Sequence, residues 1–270
     1  ALKDKVIFIT GATRGIGREI ALRAARDGAK IVITGKTIDP HPHLPGTLAS
    51  VADEVKSAGG KTLALPLDVR DENQVAAVVS EAAQHFGGID ILINNASAIS
   101  LTPTLETSVK RYDLMMAVNQ RATFVTSQAC LPYLQKSVNP HILTLSPPLN
   151  LQPKWFAPHL AYTMAKYGMS LCTLGLAEEF REAGIAVNSL WPKTTIATAA
   201  IAVNFPKDIL QASRYPTIVA DAAYTILTKN SRSLTGHFFI DEEVLKEEGI
   251  KDFSSYALNP GQALFPDLFL

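Results

Sequence analysis

The sequence predicts an α/β protein: one doubly wound domain, with a parallel sheet of about seven strands and helices on both faces. Three observations predict it. Short, continuously apolar and β-branched runs recur along the chain, as strands buried on both faces do. Segments with apolar residues every three or four positions alternate with them. The first strand also runs straight into a glycine-rich turn that opens a helix, the opening of a Rossmann-type fold.

Bulk properties narrow the function classes. A chain of 270 residues, 47% hydrophobic, suits one large domain with a sizeable core. A formal net charge of +0 gives no reason to expect nucleic acid or an anionic membrane surface as partner. Cys130 and Cys172 sit in separate apolar helical patterns, as reduced and buried thiols do. The histidines form no metal pattern; His41 and His43 are close together in a proline-rich loop. No apolar run approaches the ~18 residues of a membrane span. The first strand begins within a few residues of the start, so no secretory leader is expected. These features predict a soluble protein of the cytoplasm or of an organelle matrix, without membrane insertion.

Taken in order, Val6–Ile9 is the first strand and Arg18–Gly28 the body of the first helix. Between them lies T-G-A-T-R-G-I-G, residues 10–17. The first N–H groups of a helix lack internal partners and the helix dipole favours negative charge there, so this turn is a phosphate site. Glycine at 11, 15 and 17 removes Cβ atoms that would hold a pyrophosphate away. Ile31–Thr34 is the second strand, and Lys36 follows it where dinucleotide folds place an acid for the adenosine ribose. A lysine attracts a 2′-phosphate that a carboxylate would repel. Arg14 can reach the same phosphate, so the pair argues for NADP over NAD.

Residues 37–48 hold three prolines and a glycine and read as a loop beside the adenosine end. A helix over 49–58 and a strand over 63–67 follow, the latter ending at Asp68-Val69. Glu72–Phe86 is a helix with one apolar stripe, and Ile89–Ile93 is a strand ending in Asn94-Asn95-Ala96-Ser97. A long helical stretch, 109–135, carries Asn119 in its middle, where an asparagine wants a partner such as a water or a carbonyl. Ile142–Ser146 is the fifth strand, broken by Pro147-Pro148. Strands over 185–190 and 236–241, a weakly patterned flap over 194–215 and a helix over 218–227 complete residues 1–241. Residues 242–270 are expected to pack on the same domain as a C-terminal extension.

The helix from 161 to about 183 opens with Ala161-Tyr162-Thr163-Met164-Ala165-Lys166. Tyr162 and Lys166 share a helix face. An ammonium beside a phenol lowers its pKa from the reference near 10, which suits it to acid–base work.

In their order and spacing, T-G-A-T-R-G-I-G, Asp68-Val69, N-N-A-S, Asn119, Ser146, Y-T-M-A-K and N-S-L-W-P-K resemble the short-chain dehydrogenase/reductases over nearly the whole chain. The resemblance implies an NADP(H)-dependent oxidoreductase acting on an alcohol–carbonyl pair, with NAD the less favoured cofactor. It implies Tyr162 as general acid/base, Lys166 holding the nicotinamide ribose, and Asn119 supporting a water-linked proton relay. Gly11, Ala12, Thr13, Arg14, Gly15, Ile16 and Gly17 cradle the pyrophosphate. Lys36 meets the 2′-phosphate, Asp68 the adenine, and Asn95 and Ala96 the adenosine-side ribose, with Val69 and Ser97 as further cofactor contacts. Subunits of the family pair through the long helices, so a homodimer or homotetramer is expected.

The chain departs from the family pattern in three places. The usual second serine after the fifth strand is Pro147, and Ser146 stands in as the candidate catalytic serine. Lys193 replaces a glycine and is expected to alter the nicotinamide pocket. N-N-A-S replaces N-N-A-G, a mild change. The departures leave an alternative open, a catalytically weak dinucleotide-binding protein with a sensor or scaffold role. An epimerase or dehydratase of the same superfamily fits the glycine spacing less well. Leu149, Trp155, Phe156 and the apolar flap predict a lipophilic substrate, fatty-acyl or steroid-like.

Overall fold

A computed structural model of the chain describes residues 2–42 and 44–270. Seven parallel strands form one sheet in the order β3-β2-β1-β4-β5-β6-β7. They are β1 (Val6–Ile9), β2 (Lys30–Gly35), β3 (Lys61–Pro66), β4 (Ile91–Asn94), β5 (His141–Thr144), β6 (Ala186–Trp191) and β7 (Phe238–Ile240). The predicted doubly wound fold is the observed one.

Alternation along the strands builds two cores. Ile7, Ile9, Ile31 and Ile33 face one side, where α1 (Gly15–Ala25), α2 (Leu48–Ser57), α9 (Thr217–Leu227) and α10 (Asp241–Glu247) close over them. Val6, Phe8, Val32 and Leu92 face the other, covered by α3 (Glu72–Phe86), α5 (Ala122–Leu134) and α6 (Leu160–Glu179). With both faces covered, the strands read as unbroken apolar runs. The order in which strands are added reverses between β1 and β4, so a crevice opens beyond their carboxyl ends.

The predicted long helix over 109–135 is in fact three pieces. α4 (Val109–Met115) and α5 flank a π-helical turn, Met116–Arg121, that contains Asn119. π turns of this kind recur at functional sites because the extra residue re-aims a side chain. The flap holds two short helices, α7 (Ala199–Asn204) and α8 (Lys207–Gln211). It is stitched to the tail: Phe265 N donates to Ala212 O at 2.9 Å and Leu258 N to Ser213 O at 3.0 Å. Phe269, 1% exposed, ends that tail inside a third apolar cluster with Met115, Tyr162, Tyr167 and Trp191.

Candidate functional site

The glycine turn and β4 are locked together by side chains. Thr10 Oγ1 accepts from Asn95 N at 3.0 Å and Ala96 N at 3.1 Å. Asn95 Nδ2 donates to Thr10 O at 3.0 Å and Gly11 O at 2.9 Å. Backbone must come this close, and only glycine permits it: a Cβ on Gly17 would sit 2.5 Å from Asn95 Nδ2. Gly11 and Gly15 have φ of +66° and +58°, the left-handed region. No side chain caps α1, so its first N–H groups are left for a ligand. This cradle fits a dinucleotide pyrophosphate. Ala12 is fully buried beneath it, and Thr13 and Ile16 line the cavity with Gly11 and Gly15.

The adenosine end is basic. Lys36 Nζ lies 3.1 Å from Asp68 Oδ2, and Arg70 makes a two-armed contact with the same carboxylate, Nε–Oδ1 2.9 Å and Nη2–Oδ2 2.6 Å. Arg70, then Lys36, hold the Asp68 carboxyl well below the usual carboxylate range. Arg70 was not foreseen; its one signal is its place two residues beyond Asp68. Arg14 lines the cavity as well, yet its guanidinium is bound to the proline-rich loop, with Nε donating to Pro45 O at 3.0 Å and Nη2 to Thr37 Oγ1 at 2.8 Å. That loop therefore docks on the glycine turn. His43 lies outside the described residues.

One cavity of about 640 Å³ runs from Lys36 and Asp68, past Gly11, Gly15, Val69 and Asn95–Ser97, to Tyr162 and Lys166. Four of the predicted site residues do not line it: Ala12 and Gly17 lie within the turn, and Ser146 and Asn119 lie deeper. Ser146 is fully buried below it, its hydroxyl 2.8 Å from that of Ser189, which donates on to Thr173 at 2.8 Å. The reason is local: the strand ends at Thr144 and the two prolines turn the chain away. Asn119 is also fully buried. Its side chain grips Ala98 on both sides, accepting from Ala98 N at 2.7 Å and donating to Ala98 O at 2.9 Å. The partner that a mid-helix asparagine requires is thus backbone, and its role is to fix the segment after β4.

Electrostatics at the Tyr162 end differ from expectation. Burial, and then the charge of Asp267, push the Tyr162 phenol above its ordinary value rather than below it. Lys166 Nζ donates to Leu145 O at 2.7 Å, and burial pulls its ammonium down to about 7. A desolvated lysine is a weaker source of positive charge for the phenol than a solvated pair would be. Lys193 does not reach the cavity either. Its ammonium lies 2.8 Å from both Glu242 and Glu243 on α10. Leu149, Trp155 and Phe156 pack behind Tyr162 in the aromatic cluster, while Leu44, Ile99, Leu114, Ile201 and Phe205 supply apolar wall. Asp267 and Leu268 also line the cavity, and nothing in the sequence marked them.

A model of the short chain dehydrogenase family matches residues 5–207. The chain belongs to that family. Members of that family are NAD(P)-dependent oxidoreductases acting on small-molecule substrates. It is 60% identical over 264 residues to hydroxysteroid dehydrogenase-like protein 2 of Xenopus laevis and 58% identical to that of Homo sapiens. Each match covers 98% of this chain and 63% of the relative, so the chain spans under two thirds of these curated proteins. A short chain dehydrogenase from Mycobacterium thermoresistibile superposes with a TM-score of 0.94 at 48% identity, covering 100% of this chain and 96% of that one. A protein from Xanthomonas campestris, assigned as a dehydrogenase, gives 0.96 at 54% identity, covering 100% and 99%. No helix among the described residues is long and apolar enough to cross a membrane.

Proposed function

We propose that this short-chain dehydrogenase is NADP(H)-dependent and interconverts a lipophilic carbonyl compound and its alcohol. The observation that carries the reading is that Tyr162, Lys166 and the open N-terminus of α1 face one cavity. Bound NADP(H) supplies or accepts the hydride. Tyr162 Oη gives its proton to the carbonyl oxygen on reduction and takes it back on oxidation, a transfer worth about 10²–10⁴ in rate. Burial holds the phenol in its protonated, donating form. Lys166 holds the ribose next to the nicotinamide and offsets charge at Tyr162. Asn119 acts at one remove, by holding Ala98 and hence the cavity wall after Asn95.

The 2′-phosphate preference rests on charge. Lys36 and Arg70 outnumber the one carboxylate between them, Asp68, and Arg14 adds a third cation at the cavity edge. Phosphate suits such a cluster because its oxygens take charge-assisted bonds from each cation. The apolar wall supports a fatty-acyl or steroid-like substrate, and the curated relatives carry a hydroxysteroid dehydrogenase-like name. Phe124, Leu171 and Leu174, each more than half exposed, put apolar surface on α5 and α6, which supports a dimer or tetramer through those helices.

The test is turnover of NADPH against a panel of long-chain and cyclic carbonyl compounds, with Tyr162→Phe as control. Oxidation of NADPH by the native chain, lost in the variant, supports the reading; turnover of small polar carbonyls alone contradicts the substrate class. A second reading, a weakly catalytic dinucleotide-binding protein, is favoured by Ser146, whose hydroxyl is spent on Ser189 and not on a substrate oxygen. It predicts tight NADPH binding with no turnover across the panel.

A further inference from the structure

The C-terminal tail reaches the Tyr162 end of the cavity through a run of contacts. Thr195 N donates to Phe265 O at 3.0 Å and Asp267 N to Lys193 O at 3.1 Å. Trp191 Nε1 donates to Leu268 O at 2.9 Å. Phe269 is thereby delivered between α6 and the end of β6, where it is 1% exposed. Its ring lies 5.3–6.2 Å, centre to centre, from those of Trp155, His159, Tyr162, Tyr167 and Trp191. Its φ is +74°, in the left-handed region that a bulky side chain rarely takes. Such a conformation persists only where the surrounding packing over-determines it.

Tyr162 depends on that packing more than its neighbours do. Three of the rings around Phe269 have polar anchors. Tyr167 Oη donates to Asn150 O at 2.6 Å, His159 Nδ1 lies 2.9 Å from Thr163 Oγ1, and Trp191 Nε1 is bonded to the tail itself. The Tyr162 hydroxyl makes no hydrogen bond among the described residues and opens on the cavity. Packing holds its ring instead. His159 meets it edge-on, centres 5.9 Å apart at 79°, and Phe269 lies closer to parallel, 6.2 Å away at 28°. Leu268 lines the cavity and Phe269 does not, so Phe269 braces Tyr162 from the buried side.

We propose that Phe269 is a positioning residue for Tyr162: the tail carries its ring in behind the phenol and keeps the Tyr162 hydroxyl aimed into the cavity. This rests on the reading that Tyr162 exchanges the proton with the substrate oxygen. Proton transfer needs the hydroxyl within hydrogen-bond reach of the reacting oxygen, so a ring free to swing loses rate even with the cofactor in place. The pyrophosphate cradle and Lys36 lie towards the other end of the cavity. The tail therefore acts on turnover and not on capture of the nucleotide.

The experiment is a double-mutant cycle on NADPH-dependent carbonyl reduction, with slow variants followed over hours. It uses the native chain, Phe269→Ala, Tyr162→Phe and the two combined, each also titrated with NADPH by fluorescence. Phe269→Ala is expected to lower kcat by about 10²-fold and to leave NADPH affinity unchanged. Phe269→Leu, which refills the space, restores most of the rate. In the Tyr162→Phe background Phe269→Ala has no further effect, because the group it positions is gone. A purely structural role lowers NADPH affinity along with kcat and lowers the rate by the same factor in both backgrounds. That additivity, or an unchanged kcat in Phe269→Ala, overturns the proposal alone. A Tyr162→Phe chain that turns over like the native one, or a native chain that binds NADPH and reduces no carbonyl, overturns the reading of Tyr162 and the proposal together. Should Phe269→Ala fail to fold, Phe269→Val takes its place in the same cycle.

Discussion

Two hydroxyls beside the cavity, Tyr162 and Ser146, have opposite fates, and substitution separates them. Tyr162 opens onto the cavity, so Tyr162→Phe is expected to cut kcat by about 10²–10⁴ while NADPH binding persists. Ser146 is spent on Ser189 in the interior, so Ser146→Ala is expected to leave kcat nearly unchanged and to cost about 1–3 kcal/mol of stability, read from chemical denaturation. A collapse of kcat in Ser146→Ala would place that hydroxyl at the reacting oxygen. The Tyr162–Lys166 pair was legible because helical spacing by itself puts the two on one face. Ser146 was not, since the direction of a side chain just before two prolines depends on where the strand ends, one backbone step that sequence leaves open. Arg70 and Asp267 carry no periodic or motif signal, and only the folded chain brings them to the site.

At the scale of elements, the proline-rich loop and β5 each carry a consequence. Gly46 has φ +79°, and a Cβ there would meet Thr13 O at 2.0 Å. Gly46→Ala is therefore expected to push the loop off the glycine turn, freeing Arg14 from Pro45 and Thr37 and weakening NADPH binding in the same fluorescence titration. His141, at the start of β5, is 1% exposed, with Nε2 3.1 Å from Lys229 O, and burial lowers its pKa from 6.5 to about 4. The folded chain thus holds it neutral while the unfolded chain takes up a proton below 6.5. Stability present above 6.5 is expected to drain away as pH falls toward 4, by about 3 kcal/mol in all. Denaturant midpoints measured across that range check this, and His141→Gln should flatten the slope. The strands themselves were legible because continuous apolar runs admit few other readings. The π turn at Met116–Arg121 was not: one extra residue per turn leaves the apolar spacing of a helix nearly intact, so the kink that aims Asn119 at Ala98 has no periodic signature.

For the whole molecule, the order of the strands and the exposed helices matter most. The reversal between β1 and β4 sets the crevice, and the order of the motifs along the chain already implied it. The tail did not announce itself, because Asp267–Phe269 acts through long-range packing and not through local pattern. The apolar face on α5 and α6 is expected to be buried between subunits, giving a dimer or larger by light scattering at micromolar concentration. Phe124→Asp with Leu171→Asp should shift the mass to that of a monomer. The central claim is that the cavity is an NADP(H) site with Lys36 as its 2′-phosphate contact. The most direct measurement is fluorescence titration of NADPH against NADH on the native chain and on Lys36→Asp. The account predicts a clear NADPH preference that reverses in the variant. Binding of neither nucleotide to the native chain, or an unchanged preference in Lys36→Asp, would contradict it.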